Sequence, residues 1–294
     1  MTLFITAVIT GIAVGSIYGL IAIGYTVVFN ATRIFNLAQG DLVMLGVLIS
    51  YYLLDVLHWP ELAAFAGVML AVPLVSLLEE RFVVRPFLRR SPENIGWFIA
   101  TLAFSLIVET VVTFLYGDHP PLPVPSPLSG HPVHFGSVSI SMQLLLAIAA
   151  LLLVTVVVEW FYGRTWAGSA MRASAEDREL CALRGIEPVR MSVLAFAIGG
   201  LIGGVGGFVI APVVFANVSI GLTYSLKGFI ALAIGGFGSI RGAVVGAVLL
   251  GVSEQLFDLY VDPSYEIVVG LTLLMLILVI RPTGLFGDVE ARRV

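Results

Sequence analysis

Charge is scarce in this sequence. Lysine, arginine, aspartate and glutamate make up 12% of its 294 residues, whereas an ordinary soluble domain carries about 25%. Hydrophobic residues make up 59%, and the mean hydropathy is +1.05. This composition excludes a soluble globular fold. Its long apolar runs predict an all-α, polytopic transmembrane bundle, because a helix in lipid satisfies its own backbone hydrogen bonds. The short alternating segments of a membrane β-barrel are absent.

Lysine, cysteine and histidine are also rare. Lys227, the one lysine, lies in "YSLKGF", whereas an ATP-binding Walker A loop needs its lysine after a glycine-rich turn. The lone cysteine, Cys181, cannot close an intrachain disulfide. The four histidines lie at or beyond the ends of the apolar runs, so no intramembrane hydrolase is predicted. We therefore expect no catalytic residue, no metal site and no cofactor on this chain. Nothing in the sequence supports nucleic-acid binding, and movement of a solute across the membrane is the default function.

Eight or nine apolar runs are long enough to cross a membrane, which takes roughly 20 residues in a helix. The doubtful run is the seventh. The runs cover residues 4–29, 34–54, 62–78, 95–116, 140–159, 191–212, 223–237, 242–259 and 265–280. We expect them to form a single transmembrane domain over residues 1–294.

Basic residues predict the orientation, because lysine and arginine collect on the cytoplasmic side. Nine alternating spans place 14 of the 15 bases on one side, with Lys227 alone on the other. The N-terminus is then outside and the C-terminus inside. The bases on the inner side are Arg33, Arg81, Arg85, Arg89, Arg90, Arg164, Arg172, Arg178, Arg184, Arg190, Arg241, Arg281, Arg292 and Arg293.

A charged stretch, "RASAEDRELCALRGIEPVR", lies inside a predicted cytoplasmic loop of about residues 162–191. Ser174, three residues before Asp177, resembles a capping box and predicts a helix beginning there. Gly185 is a natural stop for such a helix, and Pro188 is expected to prevent it from resuming. A solvated connector and a docking element for a soluble partner both remain possible interpretations, and the length of the loop favours docking.

Polar groups inside the spans are the remaining candidates for function, because ionisable residues in a membrane are costly. Asp41 lies with Asn36 and Gln39 in "FNLAQGDLVMLG". Glu109 and Glu254 lie in the outer halves of their spans, where each could bind a substrate ammonium or a neighbouring helix. Glycines are concentrated in the second half, where they permit either close helix packing or a broken helix near a substrate.

Several stretches resemble the branched-chain amino acid permeases of ATP-binding cassette (ABC) importers. They are "GSIYGLIAIGYTVVF", "FNLAQGDLVMLG", "RASAEDRELCALRGI", "IGGFGSIRGAVVGAVLLG" and "RPTGLFG". The resemblance implies a pore-forming subunit that works with a second homologous permease, two cytoplasmic ATP-binding subunits that carry ATP and Mg²⁺, and an extracytoplasmic binding protein. It implies a multi-pass protein of the bacterial inner membrane, surrounded by lipid. It also implies that the charged stretch couples to the ATPase, through Arg172, Ala173, Ala175, Glu176, Asp177, Leu180, Leu183 and Gly185.

The predicted function is uptake of branched-chain or other hydrophobic amino acids by alternating access, without an ATPase site on this chain. Two alternatives stay open: a permease of the same superfamily for urea, amides, sugars or nucleosides, and an ion-coupled secondary carrier that works alone. Motif and depth select the candidate residues of the translocation path. They are Tyr18, Tyr25, Asn36, Gln39, Asp41, Gly235, Gly236, Gly238 and Ser239.

Overall fold

The structure, a computed structural model, describes residues 2–90, 96–117, 120–126, 133–135 and 138–287. Arg292 and Arg293, used above for orientation, lie outside these residues. The described helices are α1 (Thr2–Thr32), α2 (Gln39–Tyr51), α3 (Glu61–Glu79), α4 (Arg85–Arg90), α5 (Gly96–Tyr116), α6 (Met142–Arg164), α7 (Trp166–Glu176), α8 (Arg178–Leu183), α9 (Pro188–Val214), α10 (Ile220–Gly235), α11 (Ile240–Tyr260) and α12 (Glu266–Ile280).

Three short helical segments and one hairpin complete the described secondary structure. α2 continues as a π-helical turn over Tyr52–Val56, and α3 continues as another over Glu80–Val84. A 3₁₀ turn over Pro263–Tyr265 precedes α12. Strands β1 (Val133–Phe135) and β2 (Val138–Ile140) pair antiparallel in the segment between α5 and α6.

The predicted polytopic helical bundle is confirmed. Eight described helical segments are long and apolar enough to cross a membrane. The seventh predicted span folds as α10, an apolar helix of 16 residues. At 1.5 Å per residue α10 is about 24 Å long, somewhat less than the roughly 30 Å of a hydrocarbon core.

α1 lies at the centre of the bundle, where its middle is almost wholly buried. It packs most extensively on α11 and also contacts α6, α9 and α10. Glycine allows the α1–α11 approach: a Cβ added to Gly15 would lie 2.6 Å from the Ala247 carbonyl oxygen, and one added to Gly11 would lie 2.6 Å from Val252 Cα. Such small-residue contacts are how membrane helices approach closely enough for dispersion forces to hold them.

α10 runs beside α1 in the same direction. The rings of Tyr18 and Tyr224 are 6.0 Å apart near the start of α10. Beyond the other end of α10, Asn30 Nδ2 donates to the Gly238 carbonyl oxygen at 3.0 Å. α10 therefore continues to the end of the bundle where α1 finishes, and it does not turn back.

The two ends of the bundle are distinct. Leu122 and Ala216 form a β-bridge at one end, which we call the outer end. The opposite end, where α1 finishes at Thr32, we call the inner end; these names follow the predicted orientation. Residues that the sequence assigned to one face, among them Arg33, Arg172 and Arg241, meet around one cavity at the inner end.

Candidate functional site

Four of the five path candidates from the first half lie where α2 begins, well inside the bundle: Tyr25, Asn36, Gln39 and Asp41. The amide of Gln39 lies against Gly24, so that even a Cβ at Gly24 would collide with it. Gly40 N donates to Ser225 Oγ at 3.0 Å, and the Tyr25 hydroxyl donates to the Ser225 carbonyl oxygen at 3.2 Å. The non-helical segment that precedes α2 is therefore held by protein groups, as irregular backbone inside a membrane must be.

Asn36 pairs with an acid that the sequence analysis missed. Its Nδ2 donates to Glu79 Oε2 at 2.9 Å, while Gln39 Nε2 donates to the Gly199 carbonyl oxygen at 3.0 Å. Asp41 lies against Gly221, and Ser105 on α5 faces it. Four buried oxygens have no hydrogen bond of ordinary geometry with any described residue: both carboxylate oxygens of Asp41, Glu79 Oε1 and Gln39 Oε1.

We call Asn36, Gln39, Asp41 and Glu79 the acidic cluster. Among the residues that the structure describes, no lysine or arginine forms a salt bridge with either carboxylate of this cluster. Glu79 was missed because it stands in "LLEERF" at the end of an apolar run. An acid there is typical of the membrane surface, and its burial depends on the packing of α3 against α9.

Tyr18 belongs to a different group. Lys227 Nζ donates to the Tyr18 hydroxyl at 2.8 Å, to Glu254 Oε2 at 3.0 Å and to Glu266 Oε2 at 2.7 Å. The Tyr18 hydroxyl donates in turn to Glu254 Oε2 at 2.8 Å. We call these four residues the lysine cluster. Glu254 was expected to bind either a substrate ammonium or a neighbouring helix. Its Oε2 atom does bond to neighbouring helices, through Tyr18 and Lys227.

The second-half path candidates lie at the inner end, apart from both clusters. Gly236 and Gly238 have φ of +102° and +85°, which L side chains rarely adopt, so the chain between α10 and α11 depends on glycine. Ser239 caps α11 by accepting from Gly242 N at 3.0 Å. Phe286 N donates to the Gly235 carbonyl oxygen at 2.8 Å, which fixes the segment after α12 against the connection between α10 and α11.

The connection between α10 and α11 lines a cavity of about 1090 Å³ at the inner end. Arg33, Arg172 and Arg241 contribute to its wall, together with Gly238 and Ser239. Arg241 is paired with a carboxylate of α6 at 2.7 Å. The predicted path residues therefore occupy three places along the bundle: the acidic cluster with Tyr25, the lysine cluster, and this inner cavity.

The charged segment folds as two helices rather than one. α7 begins at Trp166, because Thr165 caps it by accepting a hydrogen bond from Gly168 N at 3.0 Å. The prediction that a helix begins at Ser174 is wrong. Ser174 is buried within α7, and its hydroxyl has no hydrogen-bond partner in the described part of the chain.

The cap that begins the second helix comes from Asp177. Its Oδ1 accepts from Leu180 N at 2.9 Å, and α8 follows directly. The predicted stop at Gly185 is confirmed, with φ of +81°. The prediction that Pro188 prevents a helix from resuming is wrong, because Pro188 is the first residue of α9. At that position a helix needs no N–H donor.

Two contacts with the end of α1, and a third that joins α7 to α6, hold this segment in place. The Tyr162 hydroxyl, at the end of α6, donates to the Val27 carbonyl oxygen at 3.1 Å. The Arg172 guanidinium stacks 5.0 Å from the Tyr162 ring centroid. Arg178 Nη2 reaches the Thr32 carbonyl oxygen at 3.5 Å. Burial lowers the pKa of the Arg178 guanidinium, which still stays protonated at neutral pH because an arginine pKa lies so far above it.

α8 presents apolar side chains away from the bundle. Leu180 is 55% exposed and Leu183 is 84% exposed. Four other predicted coupling residues are exposed or half-buried on α7: Arg172, Ala173, Ala175 and Glu176. Sequence reasoning did not identify the anchors Tyr162 and Arg178. The lengths of α6 and α7, which bring them to α1, were not evident from the pattern.

Comparisons with known proteins agree with this architecture. Residues 7–280 match the family described as branched-chain amino acid transport system / permease component. The chain is 31% identical over 308 aligned residues to the high-affinity branched-chain amino acid transport system permease protein LivH of Escherichia coli, covering 99% of this chain and 98% of that protein. It is 33% identical to BraD of Pseudomonas aeruginosa, with the same coverage.

A second kind of permease also matches. The corresponding permease protein LivM of Salmonella typhimurium is 30% identical over 146 residues, which cover 49% of this chain and 33% of that protein. A family match over most of the chain, together with near full-length relatives, leaves one assignment. The chain belongs to the permease components of branched-chain amino acid transport systems.

Proposed function

We propose that the chain is a pore-forming subunit of an ABC importer that moves branched-chain amino acids into the cytoplasm by alternating access. Family membership and the similarity to LivH and BraD, which are branched-chain amino acid permeases, support the substrate class. The sequence carries no Walker A loop, so ATP and Mg²⁺ would be bound by two separate cytoplasmic subunits.

The coupling proposal rests on one observation: α7 and α8 are held against the end of α1 by Tyr162, Arg172 and Arg178. An ATPase subunit would cover Leu180 and Leu183, which are exposed on α8. A force on α8 would then reach α1 through the contact between Arg178 and Thr32. Because α1 is the most central helix of the bundle, its displacement would alter the packing of α9, α10 and α11 together.

The other partners follow from the same proposal. The partial similarity to a LivM supports a second, homologous permease beside this chain. An extracytoplasmic binding protein would deliver substrate at the outer end. The chain would lie in the bacterial inner membrane with its N-terminus outside and its C-terminus inside, and the translocation path would run past the acidic cluster toward the inner cavity.

The test is a charge placed on the exposed face of α8. We expect Leu183→Glu to abolish co-purification of the ATPase subunits and to abolish ATP-dependent leucine uptake in proteoliposomes, because a carboxylate in an apolar interface loses its hydration without gaining a partner. Asp177 is a poorer target, since it also caps α8. Arg190→Ala, on an exposed residue at the start of α9, is the matched control.

Unchanged co-purification and uptake in Leu183→Glu would contradict the docking proposal. Uptake by the purified chain alone, driven by a proton or sodium gradient without ATP, would instead indicate a secondary carrier. Accessibility of an N-terminal tag from the cytoplasmic side would contradict the proposed orientation.

A further inference from the structure

The lysine cluster borders a pocket whose chemistry changes with depth. The pocket has a volume of about 210 Å³ and lies between α10, α11 and α12. Thr223 and Glu266 lie toward the outer end, and Glu266 is 38% exposed. Ile230 and Gly270 lie one to two helical turns further along the same two helices and are buried. The mouth of the pocket is therefore lined by Thr223 between apolar residues, with Glu266 near it but outside the lining, and the floor is apolar.

Two charges of opposite sign lie between the mouth and the floor. Lys227 is 8% exposed and Glu254 is 1% exposed, and both line the pocket. The two hydrogen bonds to Glu254 both end on Oε2. Its other oxygen, Oε1, points toward Gly270, where it lies 3.7 Å from the position of an added Cβ. Glu254 thus has one carboxylate oxygen left for a ligand.

We propose that this pocket binds a single zwitterionic amino acid with a small apolar side chain. The proposal rests on the proposed function and adds a substrate site to it. Glu254 Oε1 receives the ammonium group, Lys227 Nζ receives the carboxylate, and the side chain lies among Leu226, Ile230 and Gly270. The volume favours a ligand of this size, since sites for drug-sized molecules occupy about 300–1000 Å³.

The charges of the cluster agree with such a ligand. Glu254 and Glu266 outnumber Lys227, which leaves one negative charge without a counter-ion among these three groups. A bound ammonium supplies that counter-ion. The substrate carboxylate can replace Glu266 on Lys227, because Glu266 is the more exposed of the two acids and can turn toward water at the mouth. Ligand binding therefore keeps both Lys227 and Glu254 paired, which a low-dielectric site requires.

Gly270 fixes the depth of the pocket. An added Cβ there would lie 3.3 Å from Leu250 Cδ1 and 3.6 Å from Ile230 Cδ1. A branched side chain at this position would occupy the floor while leaving all four residues of the lysine cluster unchanged. Gly270→Val consequently separates loss of pocket volume from loss of the ion pairs that hold the helices together.

The experiment measures direct binding of radiolabelled leucine to the full-length chain in its purified complex, in phosphatidylcholine nanodiscs and without binding protein. Competitors are 4-methylpentanoate, which lacks the ammonium, leucinamide, which lacks the carboxylate, and alanine. We expect Glu254→Gln to weaken leucine binding at least about tenfold and to remove its advantage over 4-methylpentanoate, as loss of a charged hydrogen bond implies. Lys227→Met should remove the advantage over leucinamide.

Gly270→Val should weaken leucine binding at least about tenfold and change alanine binding less than about threefold, because added methyl groups exclude the larger side chain. Val268→Leu and Glu61→Gln, on exposed residues that do not line the pocket, should bind leucine as the unaltered chain does. Gel filtration of each complex checks assembly, and Gly270→Val retains the ion pairs.

Absence of saturable leucine binding, or leucine binding that Gly270→Val and Glu254→Gln leave unchanged, would overturn the site. The proposed function is measured separately, as ATP-dependent uptake with binding protein. Normal uptake in both variants would overturn the site and leave the function standing. Selective leucine binding without any ATP-dependent uptake by the complete complex would overturn the function and leave the site standing.

Discussion

The bundle buries two sets of acids in opposite ways. In the lysine cluster, Glu254 and Glu266 share one ammonium group, and Glu254 also accepts from a tyrosine hydroxyl, through contacts of 2.7–3.0 Å. In the acidic cluster, Asp41 and Glu79 are as deeply buried as Glu254, yet the groups that face them are neutral amides, hydroxyls or a further acid.

The difference between the clusters predicts how much each contributes to the stability of the fold. A paired buried charge is strongly coupled to its partner, because removing one member leaves the other charged without water. An unpaired buried carboxyl has no such dependence, and the membrane protein keeps it at a cost. The lysine cluster should therefore respond to substitution as a structural unit, and the acidic cluster should not.

The largest effect is expected from Lys227→Met. The change leaves Glu254 buried without its cation, which costs about 3–5 kcal/mol when a buried pair is broken. We expect a large fall in the SDS midpoint for unfolding of the purified protein. The double variant Lys227→Met with Glu254→Gln should regain part of that loss, since the stranded charge is then gone.

An unfolding midpoint in Lys227→Met equal to that of the unaltered protein would contradict the paired description of this cluster. Equal losses in the single and double variants would show that packing of the lysine stem, rather than its charge, stabilises the helices.

Two tyrosines on α1 allow a second comparison, in which the expected losses of stability are smaller. The Tyr18 hydroxyl bonds to charged partners, whereas the Tyr25 hydroxyl donates to a backbone carbonyl at 3.2 Å. We expect Tyr18→Phe to cost roughly 1.5–2 kcal/mol, because hydrogen bonds to charged groups are the stronger ones. Tyr25→Phe should cost about 0.6 kcal/mol, a typical value for a hydrogen bond between membrane helices. SDS unfolding of both variants measures the difference, and equal costs would remove the distinction between the clusters.

The sequence could predict the bundle because its signal is local. Apolar runs of nearly 20 residues indicate helices wherever they lie. The seventh span stayed doubtful for a physical reason. α10 is only 16 residues long, and its direction is fixed by long-range contacts such as Asn30 with Gly238.

The site was less predictable because its partners are distant in the chain. Tyr18 and Lys227 are 209 residues apart, and Asn36 and Glu79 are 43 apart. A single sequence gives no signal for either pair. Capping was misjudged at Ser174 for a related reason: Thr165 offered an earlier cap, and the helix it begins buries Ser174.

The smallest change in stability is expected from Asp41→Asn, which tests the acidic cluster directly. Asparagine keeps the size of the side chain and removes a carboxylate that has no cationic partner, so stability should change by less than about 1 kcal/mol and toward greater stability. Glu79→Gln should behave alike, because a glutamine oxygen can still accept from Asn36 Nδ2.

Glu254→Gln is the matched control: the same chemical change in the lysine cluster leaves Lys227 with one acid fewer and should lower stability. SDS unfolding of the three variants measures the sign as well as the size. A loss above about 2 kcal/mol in Asp41→Asn would mean that this carboxylate is ionised and compensated in the folded protein, and the acidic cluster would then be a second structural ion site.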